Sequence, residues 1–286
     1  MTSAKSIAVD QAEYWRTVEL PDSWIDQYTI KLPRYLLMIF RQLLSGTVSK
    51  VQLPENLPGV ENIPKYVLQE FHSLPNGNYS KHIAQGYAKS FDATMLNTVK
   101  RKRIEMAERF AQAQTALDLG CGGGNMAQAL IDAGVDEVWG IEPSPYLIQI
   151  AAKNHPKLKL IQGVAEASGL PDSCMDVVSA SFFFHEIPPR YADQILQEMY
   201  RIIKPGGHLF FIEPSPIHFF MPKWSLLKQH GLRGLYFRIV SSHVFDPFVK
   251  AWHKKDLRKW LDSHGFDVIE EDDKIPLRTM ICQRRA

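Results

Sequence analysis

The stretch that most constrains the fold of this chain is "LDLGCGGGN", from Leu117 to Asn125. A short apolar run that ends in an acid is followed by four glycines in five positions, and then by helical periodicity. Glycine tolerates left-handed backbone and lets the main chain approach a ligand more closely than a Cβ would permit. The stretch therefore predicts a buried strand, a tight turn and a helix whose first N–H groups face a ligand.

The spacing of this loop disagrees with the two commonest phosphate-binding turns. A dinucleotide fingerprint needs glycine where Asn125 stands, and a P-loop needs a Gly-Lys-Ser/Thr ending that is absent from the stretch. Asp118 also argues against phosphate, because two negative charges repel each other at close range. We interpret the loop as a cradle for a ligand that carries positive charge.

From Ala116 onward, short apolar runs alternate with helical periodicity, which is typical of βα units and a mainly parallel sheet. The predicted strands are Ala116 to Leu119, Glu137 to Ile141, Lys157 to Gln162, Asp176 to Ser181 and His208 to Glu213, followed by "FDVIEED" and "RTMICQRR". We expect an α/β fold with a Rossmann-like, seven-stranded, mainly parallel sheet whose final pair of strands is antiparallel.

Local signals predict where the intervening helices begin and end. Asn125 is expected to cap the helix of "NMAQALIDAG", and Gly134 to end it. Ser144 and Pro145 form an N-cap and first-turn pair for the next helix. The helix of "RYADQILQEMYRIIKPGG" is expected to end in residues 204–207.

Two regions lie outside this alternation. Residues 1–80 are predicted to form a helical and irregular N-terminal extension of a main domain over residues 81–286. The extension contains the amphipathic "RYLLMIFRQLL", which suits packing on the core, on a partner or on a bilayer surface. Residues 214–250 form an aromatic insertion after the fifth strand, where a lid or substrate wall would stand, because ligands bind at the carboxyl edge of a parallel sheet.

Composition narrows the classes of partner. The 286 residues are 45% hydrophobic and 22% charged, as in an ordinary soluble globular protein. The net charge of +2 offers no concentrated basic surface for phosphates, so we expect a small-molecule partner and no nucleic acid. Cys121, Cys174 and Cys282 lack the spacing of a disulfide framework or a zinc site, which favours a reducing compartment.

The sequence also contains no targeting or membrane-spanning pattern. The first residues lack the apolar core of a signal peptide. No run approaches the roughly 18 apolar residues that a membrane span requires. We therefore expect a cytoplasmic protein without a transmembrane segment, for which peripheral contact with a membrane stays open.

A second acid follows the second predicted strand. Glu142 stands 22 positions after Gly120, where a carboxylate accepts hydrogen bonds from both hydroxyls of a ribose in dinucleotide sites. Asp118, the glycine loop and Glu142 together describe a pocket for a nucleoside with a cationic appendage. Taken alone, Glu142 is also compatible with a solvated acid after a strand.

Four stretches now carry a family resemblance: "LDLGCGGGN", "WGIEPSP", "GVAEASGLPDSCMDVVSASFFFHEIPP" and "RIIKPGGHLFFIEP". In this order and spacing they resemble the successive motifs of class I S-adenosylmethionine-dependent methyltransferases, over roughly residues 85–286. Among these enzymes the chain most resembles the ubiquinone/menaquinone-biosynthesis C-methyltransferases and their small-molecule relatives. The upstream segment "GYAKSFDATMLNTVKRKR" also has a counterpart there.

The resemblance implies S-adenosylmethionine as cofactor and a role for each matching position. Asp118, Gly120 and Gly122 would contact the methionine part, with Asp118 near its ammonium, and Glu142 would hold the ribose. Ala165 and Glu166 would sit beside the adenine. The remaining candidates for the cofactor wall are Cys121, Pro143, Ser181, Phe182 and Tyr87, with Phe91 beside Tyr87.

One departure from the family pattern concerns the adenine. The family usually has Asp where this chain has Val164, so the hydrogen bond to the adenine amino group must come from Glu166 or from backbone.

Methyl transfer from a sulfonium is an in-line displacement, so alignment in a dry site supplies much of the acceleration. An acid or base is needed where the acceptor must lose a proton. His185, in "SFFFHEIPP", is the candidate: a neutral imidazole there takes a proton from a phenol, enol or acidic carbon. The alternative is a structural hydrogen bonder. Glu186 is expected either to orient His185 or to cap the next helix.

The leading hypothesis is methyl transfer to carbon or oxygen of a small, largely apolar acceptor. Methylation of protein or RNA is an alternative, although "SFFF" replaces the Asn/Asp-Pro-Pro-Tyr/Phe motif of enzymes that methylate base amino groups. A non-catalytic, cofactor-binding subunit is another. The basic run "KRKR" at residues 100–103 is interpreted as a solvated face, and no metal site is predicted from the scattered His218, His230, His243 and His253.

Overall fold

The computed structural model describes residues 9–27 and 50–286. Within these ranges a seven-stranded sheet has the order β3-β2-β1-β4-β5-β7-β6. Its strands are β1 (Thr115–Leu119), β2 (Glu137–Glu142), β3 (Lys159–Gln162), β4 (Met175–Ser181), β5 (Ile203–Pro214), β6 (Phe266–Lys274) and β7 (Leu277–Arg284). The first five strands are parallel, and β7 runs antiparallel to both neighbours. The predicted α/β sheet with an antiparallel final pair is confirmed.

Helices cover the two faces of this sheet. In the described ranges they are α1 (Ala12–Thr17), α2 (Lys81–Thr94), α3 (Thr98–Glu108), α4 (Asn125–Ala133), α5 (Pro145–Asn154), α6 (Pro189–Ile202), α7 (Pro216–Phe220), α8 (Lys223–His243), α9 (Val249–Lys254) and α10 (Leu257–Ser263). Short 3₁₀ turns occur at Phe71–Ser73 and Phe184–Glu186, among other places. No helix in the described part of the chain is both long and apolar enough to cross a bilayer.

The strand order places the functional residues at one edge. The chain runs outward from β1 through β2 to β3, and then crosses to β4 on the other side of β1. Ligands of open parallel sheets bind outside the carboxyl ends of the strands where the order reverses. Asp118 lies opposite Ser179 of β4, so the ends of β1, β2 and β4 meet at this edge.

The helix boundaries follow the local signals in part. Gly134 ends α4 in a left-handed conformation, and the Ser144 side chain caps α5, as predicted. The prediction for Asn125 is wrong, because left-handed Gly124 is the N-cap and Asn125 is the first helical residue. The prediction for residues 204–207 is also wrong, because α6 ends at Ile202 and β5 begins at once.

A close backbone approach explains how β5 starts so early. A Cβ on Gly207 would lie 2.8 Å from the Asp176 carbonyl oxygen, so glycine lets the chain run against the neighbouring strand β4 without a loop.

The N-terminal residues share a hydrophobic core with the sheet. Trp15 of α1 is buried, and the N–H of Gln11 donates to the carbonyl of Leu160 in β3 (2.8 Å). The carboxylate of Asp26 accepts hydrogen bonds from the Ser80 hydroxyl (2.7 Å) and from the N–H of Lys81 (3.0 Å) at the start of α2. The amphipathic "RYLLMIFRQLL" lies outside the described residues.

Candidate functional site

A cavity of about 150 Å³, here called the sheet-edge cavity, lies at the carboxyl ends of β1, β2 and β4. Nine of the residues expected to contact the cofactor line it: Tyr87, Asp118, Gly120, Cys121, Gly122, Glu142, Pro143, Ser181 and Phe182. Ala165 and Glu166 do not. Its volume is below the roughly 300 Å³ at which small-molecule sites begin.

Asp118 is a buried acid in the floor of this cavity. Its side chain is only 2% exposed, and the Ser179 hydroxyl donates to Oδ1 at 2.8 Å. Burial raises the pKa of Asp118 to about 7, although the Ser179 hydrogen bond opposes the shift. The free protein therefore stabilises the negative charge of ionised Asp118 poorly, and a ligand cation would stabilise that charge.

Glu142 is a second buried acid, at the end of β2. The Gly122 N–H donates to Oε2 at 3.0 Å, and the Ser144 N–H donates to Oε1 at 2.9 Å. Burial raises the pKa of Glu142 to about 7 despite these two hydrogen bonds. Glu142 thus ties the glycine loop after β1 to the start of α5, and each oxygen keeps a lone pair for a further donor.

The glycines of the loop have different physical roles. Gly120 (φ +57°) faces the ring of Phe183, which would lie 2.6 Å from an added Cβ. Gly122 (φ +54°) faces open space, with the Gly120 carbonyl oxygen 4.0 Å from an added Cβ as its nearest neighbour. Gly120 therefore permits close packing, whereas Gly122 exposes bare backbone to the cavity.

Arg103 is a wall residue that the sequence interpretation missed. It is 6% exposed, lines the sheet-edge cavity, and donates from Nη2 to Oδ2 of Asp92 at 2.6 Å. The interpretation of "KRKR" as a solvated face is therefore wrong for this residue. The signal was helical spacing, because Arg103 continues the buried stripe of Val99 and Met106 on α3.

A second and larger cavity of about 740 Å³, the aromatic cavity, adjoins the first. Its wall is predominantly apolar and comes from α2, the Phe71–Ser73 turn, the end of β4 and the insertion. The insertion contributes Pro214, His218, Phe219, Phe237, Val240, Ser241, Val244 and Asp246. The volume lies within the usual range of small-molecule sites.

Three aromatic side chains, Tyr87, Phe91 and Phe182, line both cavities and form a partition between them. Their ring centroids are 5.5 Å apart for Tyr87 and Phe91 and 5.2 Å apart for Phe91 and Phe182. Phe182 has φ +56°, a strained value for a side chain with a Cβ. Such strain persists where the surrounding structure enforces it, and it clusters at functional sites.

The three phenylalanines after Ser181 lie outside the strand. β4 ends at Ser181, and a 3₁₀ turn begins at Phe184. Phe184 is in the core, stacked on Trp252 with ring centroids 5.2 Å apart.

His185 lines the aromatic cavity and forms a buried pair with Glu213 of β5. Its Nδ1 lies 2.6 Å from Oε2 of Glu213, while Oε1 accepts the N–H groups of Phe183 (3.0 Å) and Phe184 (2.8 Å). Burial by itself would lower the pKa of His185, but the Glu213 carboxylate outweighs it and raises the pKa to about 9. The free protein therefore holds an imidazolium at neutral pH, not the neutral imidazole expected from the sequence.

Glu186 lines the sheet-edge cavity and pairs with His72, a residue that sequence reasoning missed. Oε1 of Glu186 lies 3.0 Å from Nε2 of His72 and 3.9 Å from Nε2 of His185. Burial raises the pKa of Glu186, but His72 outweighs it and lowers that pKa overall. His72 also lies 3.6 Å from Asp246 and stacks on Tyr87. Because His72 and Glu186 are far apart in the chain, no sequence pattern indicated that they pair.

Among the described residues, His72, Glu186 and Asp246 are the group whose ligand types and spacing suit a metal ion. The ion pairs of His72 with Glu186 and Asp246 explain these short distances without a metal ion. Burial tends to lower the pKa of His72, but Glu186 and Asp246 raise it overall, as expected for a buried cation between two carboxylates.

The similarity of this chain to known proteins indicates its family. Residues 117–211 match the family model for a methyltransferase domain. An uncharacterized methyltransferase of Synechocystis sp. is 33% identical over 178 residues, which cover 60% of this chain and 76% of that protein. The chain therefore belongs to the methyltransferase family, and its fold is the class I methyltransferase fold implied by the resemblance.

Two further proteins are similar to this chain. The demethylmenaquinone methyltransferase of Bacillus licheniformis is 32% identical over 143 residues, which cover 48% of this chain and 58% of that protein. The chain thus spans little more than half the length of this relative. A solved SAM dependent methyltransferase from Archaeoglobus fulgidus superposes with a TM-score of 0.49 at 16% identity, covering 69% of this chain and 100% of the other.

S-adenosylmethionine is the cofactor of this family, and the residues at the sheet edge fit it. Two buried carboxylates with raised pKa values, Asp118 and Glu142, flank bare glycine backbone. Such a site disfavours a phosphorylated nucleoside and favours one with an ammonium and free hydroxyls.

Proposed function

We propose that this protein transfers a methyl group from S-adenosylmethionine to carbon or oxygen of a small, largely apolar acceptor held in the aromatic cavity. The observation that carries the proposal is the pairing of the two cavities across one partition. An acid-lined pocket at the sheet edge meets an apolar pocket at Tyr87, Phe91 and Phe182. The name of the Bacillus licheniformis relative supports a quinone-like acceptor.

The cofactor would be held by charge and by backbone. Asp118 would accept hydrogen bonds from the ammonium, and Glu142 would accept them from the ribose hydroxyls through its remaining lone pairs. Glu166 lies outside the sheet-edge cavity, but it would accept the adenine amino group through its buried Oε2, which has no partner among the described residues, while Oε1 accepts the Tyr66 hydroxyl at 2.8 Å. The bound cofactor supplies an electrophilic methyl group on a sulfonium.

His185 would act on the acceptor as a cation. Glu213 fixes Nδ1, so Nε2 is the nitrogen that can donate to an acceptor oxygen. The acceptor would bind as its phenolate or enolate, with its proton released to water; the imidazolium N–H stabilises that oxyanion, whose charge raises the electron density on the oxygen and on the carbons conjugated with it. The role differs from that of a free base, because His185 carries its proton before the acceptor binds.

The aromatic partition would supply alignment and exclude water. Tyr87 and Phe91 belong to α2, whereas Phe182 follows β4, so two separate elements form the partition. Rings around the reacting atoms keep the nucleophile and the methyl group in line and replace water by apolar contact.

A labelled-methyl assay tests this proposal. The protein is incubated with S-adenosylmethionine that carries a tritiated methyl group, together with apolar hydroquinones, RNA or a protein extract. We expect label in the organic-extractable hydroquinone fraction, and little label with Asp118→Asn. The matched control for Asp118→Asn is Asp136→Asn, at an exposed acid. Label confined to RNA or protein would contradict the proposed acceptor class.

A further inference from the structure

Basic residues outnumber acidic ones in the insertion. From Pro214 to Phe245 the chain contains no Asp or Glu, although it has 31 such residues in total. The same stretch contains four basic residues, Lys223, Lys228, Arg233 and Arg238. The first three are exposed, whereas Arg238 donates from Nη1 to the His218 carbonyl at 3.0 Å.

Large apolar side chains are also exposed within this segment. The exposed fractions are 54% for Phe220, 74% for Trp224, 37% for Leu227 and 78% for Leu232. We call these residues, with Lys223, Lys228 and Arg233, the insertion face. Exposed apolar residues in a cluster mark interaction sites, whereas scattered ones need no explanation.

The backbone of α8 turns at the centre of this face. Gly231 has φ +60° and ψ −158°, so it divides the helix into two parts. Leu232, its most exposed apolar residue, follows directly. A Cβ on Gly231 would meet no atom within 4 Å, so packing against neighbouring groups does not require the glycine there.

The opposite side of the same segment forms the cavity wall. Phe219 and Phe237 line the aromatic cavity, while Phe220 is exposed next to Phe219. Leu226 is fully buried between the exposed Trp224 and Leu227. The insertion therefore presents one side to the acceptor cavity and the other to the surroundings.

We propose that the insertion face docks on an anionic lipid surface. Trp at the level of the headgroups, Leu and Phe in the acyl boundary and Lys or Arg beside anionic lipids are the features of an interfacial segment. Each such cation near a negatively charged bilayer strengthens binding by about fivefold. Docking here would bring the aromatic cavity to the lipid phase, in which an apolar acceptor dissolves. This consequence alone rests on the proposed function.

Charge argues against the other occupants of this face. A second copy in a two-fold dimer would pack this face, with its three exposed cations, against the same face, with no acid from the stretch to neutralise them. Residues 28–49 contain Lys31, Arg34 and Arg41 and no acid, so this segment also lacks complementary charge. An anionic surface satisfies both the cations and the apolar side chains.

Vesicle co-sedimentation of the full chain, without cofactor or acceptor, tests the docking. We expect binding to phosphatidylcholine vesicles that contain phosphatidylglycerol, weaker binding at high salt, and little binding to pure phosphatidylcholine. Lys223→Gln/Lys228→Gln should weaken binding by about tenfold or more, as should Trp224→Ser/Leu232→Ser. The matched controls are Lys153→Gln/Lys157→Gln and Ile269→Ser, at exposed positions outside the insertion.

Three results would overturn the docking. The first is equal binding to neutral and anionic vesicles, and the second is binding that neither double variant changes. The third is a dimer in solution that Trp224→Ser/Leu232→Ser converts to monomer, which would assign the face to a second copy. Methyl transfer to a detergent-dispersed acceptor should be unchanged in these variants, so a failure of docking and a failure of the proposed activity remain distinguishable.

Discussion

The two cavities differ in how the chain builds them. The sheet-edge cavity takes Asp118, Glu142 and the glycine loop from strand ends whose positions the parallel topology dictates. The aromatic cavity is assembled from α2, a 3₁₀ turn and the insertion, which are far apart in sequence. The difference teaches that cofactor recognition can be predicted from local motifs, whereas acceptor recognition depends on tertiary packing.

The largest expected effect lies in the aromatic cavity. His185→Gln should lower kcat by about a hundredfold or more and leave the Kd for S-adenosylhomocysteine unchanged, because His185 lines that cavity alone. Steady-state kinetics and calorimetry measure the two quantities. His208→Gln, at a half-buried histidine in the middle of β5, is the control.

The pH dependence of kcat separates the two roles of this histidine. If the imidazolium is required, kcat should fall as pH rises through about 9, where His185 loses its proton. Glu213→Gln should move this fall to lower pH, since the carboxylate holds the pKa up. A rate that rises to a plateau at high pH would instead support the base role.

The next effect concerns the sheet edge. Glu142→Ala should weaken binding of S-adenosylmethionine by about 1.5–3 kcal/mol for each ribose hydrogen bond lost. The N–H groups of Gly122 and Ser144 also lose their acceptor, which loosens the loop. Calorimetry measures the change, and Glu137→Gln at the other end of β2 is the control. An unchanged Kd would contradict the ribose role.

Asp118→Asn should change stability and binding in opposite directions. The folded pKa of about 7 lies above the ordinary value of 3.8, so this acid's contribution to stability is lost as pH rises between those values. At pH 8 the variant should therefore unfold with a free energy about 1–3 kcal/mol higher, while its affinity for the cofactor falls. Urea unfolding at pH 8 checks the gain, and a loss of stability there would contradict the account.

The smallest effect tests the strained partition. Phe182→Gly and Phe182→Ala both remove the ring, and glycine alone is relaxed at φ +56°. The glycine variant should be more stable by about 1 kcal/mol. Both variants should raise the KM for the acceptor. Equal unfolding free energies would show that the strain is relieved by other means.

These contrasts show what the sequence could predict. The strands and the acids at their ends follow from alternation and from the glycine loop, so the sheet and the acidic and glycine part of its cavity wall were predictable. Arg103 was misinterpreted because charge was given more weight than helical spacing. His72 and Asp246 carried no signal, because their contacts depend on the packing of a short turn against the insertion.

The protonation state of His185 was also beyond the sequence. Its partner Glu213 lies on β5, and the two residues meet only because β4 and β5 are adjacent. A histidine after a strand is compatible with either charge until its partner is known.

Calorimetry of S-adenosylhomocysteine across pH, in buffers of different ionisation enthalpy, tests the central claim most directly. The free protein holds Asp118 and Glu142 with pKa values near 7, and a bound ammonium would lower the pKa of the nearer acid. We expect binding to release protons at pH 7 and to tighten from pH 6 to 8. Binding that is independent of pH and buffer, together with tighter uptake of NAD or ATP, would contradict it.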